Sequence, residues 1–223
     1  MKHLSVAIDG PSGAGKSTIA RAAARELGFV YVDTGALYRA IGLAVSRAGF
    51  DALDRAEILQ VLPQVALELR YVDGQQRVLL NGEDVSDLIR TPQIAQYASR
   101  VSSVPEVRAF LLDLQRDMAR AHSVIMDGRD IGTVILPDAE VKVFLTASAE
   151  KRAERRCAEL REKGQDVTPA QVLADIARRD MQDSGREIAP LRRAADAVLV
   201  DTSEMTLEES INAVTALIRR AQQ

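Results

Sequence analysis

The amino-acid sequence predicts an α/β fold built on a parallel sheet, and three observations lead there. Five short apolar runs recur along the 223 residues: LSVAI (4–8), FVYV (29–32), SVIM (123–126), VKVFL (141–145) and AVLV (197–200). None alternates strictly, as suits strands covered on both faces. Longer amphipathic patterns of helical period separate the runs, and the first run passes straight into a glycine-studded turn that opens a helix. With 47% hydrophobic and 27% charged residues the composition is that of a soluble globular domain, long enough to bury a sizeable core.

The elements follow in order. After the first strand, KSTIARAAARELG (16–28) reads as a helix closed by its glycine. FVYV leads into a second helix, TGALYRAIGLAVSRAG (34–49), closed the same way. The alternation then breaks, because Ala66 to Gly82, ALELRYVDGQQRVLLNG, predicts two strands in hairpin order around Asp73-Gly74. Helical segments follow at TPQIAQYASRVS (91–102) and PEVRAFLLDLQRDMARA (105–121) before the core pattern resumes. About residues 63–104 are therefore expected to form an inserted small subdomain with antiparallel strands, between core segments 1–62 and 105–223. The chain shows no repeat and no low-complexity stretch.

Composition excludes several classes. A formal net charge of -3 leaves no basic surplus for a nucleic-acid polymer. Arginine outnumbers lysine 24 to 5, and its planar fork suits phosphate or carboxylate, although codon usage alone accounts for such a bias. The lone Cys157 can form no internal disulfide, and His3 and His122 are too distant to build a metal site with it. The start MKHLSVAID holds too few apolar residues for a signal peptide, and no run approaches a membrane span. A cytoplasmic, monomeric protein with no membrane partner is expected.

The turn carries the sharpest signal. Gly10, Pro11, Ser12, Gly13, Ala14, Gly15, Lys16 and Ser17, with Thr18 after them, match G-x-x-x-x-G-K-[ST] without a mismatch, between a strand and a helix. Glycines there turn successive N–H groups inward, and the helix adds its positive end. Lys16 can bridge terminal phosphates, and the Ser17 hydroxyl can ligate Mg²⁺. The loop suits a nucleoside triphosphate, but this motif alone serves switches, ATPases and kinases alike. No N-K-x-D occurs for a guanine-specific switch. Instead VIMD is followed by GRDIG, which sets Arg129 and Asp130 at the carboxyl end of a strand, where ligands of open α/β sheets lie. The segment YVDTGALYR likewise brings Thr34, Tyr38 and Arg39 to a helix start, although alone it also reads as a core tyrosine beside a surface arginine.

GPSGAGKST, DTGALYR, MDGRDIGT and RRDMQDSGREIAPL, in that order over nearly the whole chain, closely resemble the bacterial cytidylate kinases. The resemblance implies a P-loop kinase fold of three layers, with a five-stranded parallel sheet, the monophosphate-binding insertion and a short helical lid at about 152–168. It implies transfer of a phosphoryl group from ATP to CMP or dCMP with Mg²⁺. ATP would lie on residues 10–18, and the acceptor phosphate among Thr34, Tyr38, Arg39 and Arg129. Ser99, Arg108 and Asp130 would read cytosine, Arg179 and Asp183 the pentose, and Arg186 a phosphate. Lys16, Arg129 and Arg186 would act on the transferring group, joined by Arg152, Arg155 or Arg156 of the lid. Without the resemblance, the stretches bearing residues 152–156 and 179–186 read as solvated, charge-laced helices. The alternatives are a kinase of UMP, AMP or shikimate, and, from another class, a P-loop ATPase or GTPase switch.

Overall fold

The computed structural model describes residues 3–52, 54–162 and 164–223; Lys163, inside the expected lid, lies outside them. Five parallel strands form the central sheet: β1 (Ser5–Asp9), β2 (Val30–Asp33), β6 (Val124–Gly128), β7 (Val141–Thr146) and β8 (Val198–Asp201). Their order is β2-β6-β1-β7-β8. Each of the five apolar runs has become one of these strands. Alternate side chains serve the two faces. Val6 and Ile8 of β1 meet α1 (Lys16–Leu27) and α8 (Leu207–Ala221) through Ile19, Ala20, Val214 and Ile218. Ala7, with Val32 and Met126, turns to the other face, against Ala119 of α5 (Pro105–Ala121) and Ile131 and Ile135. Two covered faces explain why β1 and β6 read as continuous apolar runs, whereas β8, at the sheet edge, leaves Val198 and Leu199 exposed and so departs from the expectation of cover on both faces.

The hairpin comprises β3 (Leu67–Val72) and β4 (Gln75–Leu80), turning at Asp73 and Gly74, both at positive φ. The sequence reading stopped at two strands; a short β5 (Glu83–Asp84) adds a third antiparallel one, in order β3-β4-β5. Two residues carry too little periodicity to be read. Around the sheet, Val78, Leu80 and Ile89 share one apolar cluster with Leu37 and Ile41 of α2 (Thr34–Arg47), Ile58 of α3 (Arg55–Val61), Ile94 of α4 (Pro92–Val101) and Leu111 of α5. Gly42 lets α4 lie directly on α2, since a Cβ there would stand 2.9 Å from the Tyr97 Cβ. Toward the C-terminus α6 (Ala149–Glu162) and α7 (Pro169–Ser184) pack through Ala153, Cys157, Val172 and Ile176. Cys157 is a free, buried thiol. Among the described residues no helix is long and apolar enough to cross a membrane.

Candidate active site

The site is assembled at the carboxyl ends of β1, β2 and β6. β1 ends in Asp9, and the chain turns through residues 10–15 into α1. Gly10 takes φ 152°, and a Cβ there would stand 1.9 Å from the Leu145 carbonyl oxygen, so only glycine fits. Gly15 caps α1 in the left-handed region at φ 88°. Lys16 is buried and its Nζ donates to the Pro11 carbonyl at 2.7 Å. Burial pulls its pKa down to about 7, with Arg129 adding to the fall and Asp127, Asp183 and Asp9 opposing it. Ser17 and Thr18 are exposed at the mouth of the loop.

The end of β6 meets this loop. The Ser17 hydroxyl donates to Asp127 Oδ2 at 2.7 Å, Tyr31 Oη donates to Oδ1 at 3.0 Å, and Thr34 Oγ1 donates to the Asp127 carbonyl at 2.8 Å. Burial, helped by the Asp33 carboxylate, raises the Asp127 pKa. A serine hydroxyl touching a carboxylate is the hard-oxygen donor set that Mg²⁺ takes beside phosphates and water, so these residues fit that ion. Among the described residues no cluster of three His, Cys, Asp or Glu offers an alternative metal site.

Beyond Asp127 lies a nest of paired charges. Arg129 Nε donates to Asp183 Oδ2 at 2.6 Å, and Arg186 meets Asp183 Oδ1 at 2.5 Å and Ser102 Oγ at 3.0 Å. Burial works against an ionised Asp183, yet Arg129 and Arg186 hold its pKa below the usual range. Arg108 pairs with Asp130, both buried, and also donates to the Ser102 carbonyl at 3.2 Å. Burial nonetheless keeps the Asp130 pKa raised. The Arg108 guanidinium sits 5.5 Å from the Tyr38 ring centre, and the Tyr38 hydroxyl, buried without a partner, is pushed up to about 12. Tyr38, Arg108, Leu112 and Gln115 line a 110 Å³ hollow.

Thus Lys16, Ser17, Thr34, Tyr38, Arg108, Arg129, Asp130, Asp183 and Arg186 converge at one edge. Three further expected residues find other partners at the margin of this group. Ser99 bonds Gln182 at 3.3 Å, Arg179 pairs with Asp175 at 3.8 Å, and Arg39 lies 3.6 Å from Asp33. Arg186 lies outside α7, since the helix stops at Ser184 with Gly185 as its cap. It reaches Asp183 from outside the helix. Of the lid arginines, Arg152 is buried against Asp180 at 2.7 Å and the Ser12 carbonyl at 3.1 Å. Arg155 holds Thr202, and Arg156 pairs with Glu159.

Three acids escaped the sequence reading as site residues: Asp9, Asp33 and Asp127. Asp9 accepts from the Ile131 and Gly132 amides, both at 2.8 Å, and so fixes the turn after Asp130. Asp33 caps α2 through the Ala36 amide at 3.0 Å and accepts from Arg90 at 2.9 Å. Their shared signal was visible, since each is the acid that directly follows the apolar residues of one of three strands.

A family profile described as cytidylate kinase matches residues 6–220. The chain belongs to the cytidylate kinase family. A cytidylate kinase from Caldicellulosiruptor saccharolyticus is 51% identical over 217 residues, covering 97% of this chain and 96% of that one. Another, from Syntrophotalea carbinolica, is 50% identical over 224 residues, covering 100% and 94%. Membership in the cytidylate kinase family makes the chain a nucleoside monophosphate kinase. An uncharacterised protein of known structure from Eubacterium ventriosum aligns at TM-score 0.50 with 13% identity, covering 98% of this chain and 97% of that one, which is a likeness of fold alone.

Proposed function

We propose that this enzyme transfers the terminal phosphoryl group of ATP to CMP and dCMP, yielding ADP and the cytidine diphosphate. One observation carries the reading: the phosphate loop holds the Asp127 carboxylate through Ser17 and the Thr34 helix start holds the carbonyl of the same residue, so a donor and an acceptor phosphate would meet over the end of one strand. The acceptor phosphate supplies the attacking oxygen, so no side chain need act as nucleophile. Catalysis is then positioning and charge stabilisation. Residues 10–18 would cradle the triphosphate, with Lys16 on its terminal phosphates. Thr34, Tyr38, Arg39 and Arg129 would orient the acceptor phosphate, and Arg186 would add charge at the transferring group. Mg²⁺, held at Ser17 and Asp127, would neutralise charge on the phosphate oxygens.

For the base, the paired Arg108 and Asp130 offer a donor beside an acceptor, with Ser99 nearby on α4. Cytosine carries an N4 amino donor next to N3 and O2 acceptors and matches that pair; uracil would set an oxygen against Asp130. Arg179 and Asp183 would take the pentose. The insertion at about 63–104 and the lid at about 152–168 would close over the ligands and exclude water. The net charge of -3 suits an enzyme that takes small nucleotides rather than a nucleic-acid polymer, and a cytoplasmic monomer is the reading that goes with it.

A coupled assay of ADP release with CMP, dCMP, UMP, AMP, GMP or no acceptor tests this reading. Release is expected with CMP and dCMP; acceptor-independent release would favour an ATPase or switch. Asp130→Ala should keep the fold, lower CMP turnover ~100-fold and narrow the CMP-over-UMP preference ~10-fold. Full selectivity in that variant would remove Asp130 from base recognition.

A further inference from the structure

β2 is an edge strand, and Tyr31 and Asp33 turn their outward peptide groups away from β6. An open edge of this kind needs a cover. Side chains of the three-stranded sheet supply it. Gln76 of β4 uses its amide as a one-residue strand: Oε1 accepts from the Asp33 amide at 2.8 Å, and Nε2 donates to the Asp33 carbonyl at 3.3 Å. Two residues back along the same edge, Tyr71 Oη of β3 donates to the Tyr31 carbonyl at 3.1 Å. Arg90, at the end of the short 3₁₀ turn Leu88–Arg90, donates to Asp33 Oδ2 at 2.9 Å. Asp33 is thereby held at its amide, carbonyl and carboxylate by residues from the far side of the insertion.

Asp33 is also the cap of α2 and immediately precedes Thr34. Its carboxylate is buried, and the Arg39 and Arg90 guanidiniums overcome that burial to keep its pKa low. We propose that Gln76 and Arg90 are positioning residues for the acceptor phosphate: they clamp the Asp33 peptide and carboxylate, and so set where Thr34, Arg39 and the first amides of α2 stand. This rests on the reading of α2's start as the acceptor-phosphate site. On this view the insertion does more than cover the acceptor. It fixes the edge of the core sheet on which the acceptor is received, and α2 and the hairpin respond to the ligand as one body.

The test uses the full chain with Gln76→Leu, Arg90→Met and Arg90→Lys. Steady-state rates are taken with CMP and ATP varied separately, and hydrogen exchange is followed at the Asp33 amide. Gln76→Leu and Arg90→Met should each raise KM for CMP on the order of fivefold, as for one or two lost hydrogen bonds, with KM for ATP unchanged. Arg90→Lys, which keeps the charge, should recover most of the loss. Gln76→Leu should also speed exchange at the Asp33 amide about tenfold with little change in the urea midpoint. An unchanged KM for CMP, or equal rises for CMP and ATP with a lowered midpoint, would overturn the clamp. If the wild type made no cytidine diphosphate, the functional reading would fail on its own, and exchange at Asp33 would still decide whether the clamp exists.

Discussion

At the scale of single residues, three strand-ending acids share one edge but differ in what surrounds them. Asp33 has two guanidiniums and is held low; Asp127 has hydroxyls and a neighbouring carboxylate and is raised. Asp9 is raised to about 6 because burial outweighs the two backbone amides that it accepts. A carboxyl whose pKa is higher folded than unfolded binds its proton more tightly in the native state. Its contribution is fully present below about pH 4 and is lost as pH climbs to about 6. Urea unfolding of wild type and Asp9→Asn at pH 4 and pH 7 should show it: the wild type's stability relative to the variant should fall by about 2 kcal/mol between those pH values. A difference independent of pH would mean that Asp9 stays ionised when folded. The glycines and Lys16 were legible because the turn needs those types at fixed spacing. The acids were not, because a lone Asp after an apolar run also reads as a helix cap, which for Asp33 is half of the truth.

At the scale of elements, what periodicity could express was legible and what depends on a partner was not. The five strands and the helices at 16–27, 34–47, 92–101 and 105–121 lie within a few residues of their sequence-based bounds, since each has an apolar face long enough to count. The seven-residue α3, the two-residue β5 and the π-helical turn Ile131–Ile135 have no such face; the turn exists because Asp9, over a hundred residues away in sequence, binds its amides. The contact of α4 with α2 is of the same kind, hidden in one glycine. Gly42→Val would place branched carbons where the Tyr97 Cβ and the Ala98 amide already crowd, at 2.9 and 3.1 Å from a Cβ. The gain in helix propensity is smaller than the overpacking, so a loss of about 2 kcal/mol in urea unfolding is expected. An unaltered midpoint would show that α4 can shift off α2 without cost.

At the scale of the whole molecule, the core sheet, the insertion and the C-terminal helices meet at Asp183. It sits on α7, pairs with Arg129 beyond β6, and pairs with Arg186, which in turn bonds Ser102 just after α4. Three regions are thus joined through one buried carboxylate balancing two guanidiniums. Removing it leaves two like charges facing each other with little water, the expensive way to break a buried network. Asp183→Ala should therefore lose about 3 kcal/mol of stability in urea. The same deletion leaves a doubly cationic cavity that an anion can fill. Inorganic phosphate should consequently raise the urea midpoint more in Asp183→Ala than in wild type, because stabilisation by a ligand grows with its affinity for the folded state. Arg186→Ala in the same background should abolish the excess, since one of the two guanidiniums is then gone. Equal stabilisation of wild type and variant by phosphate would mean that Arg129 and Arg186 separate once Asp183 is lost, and that the three regions are held together by other contacts.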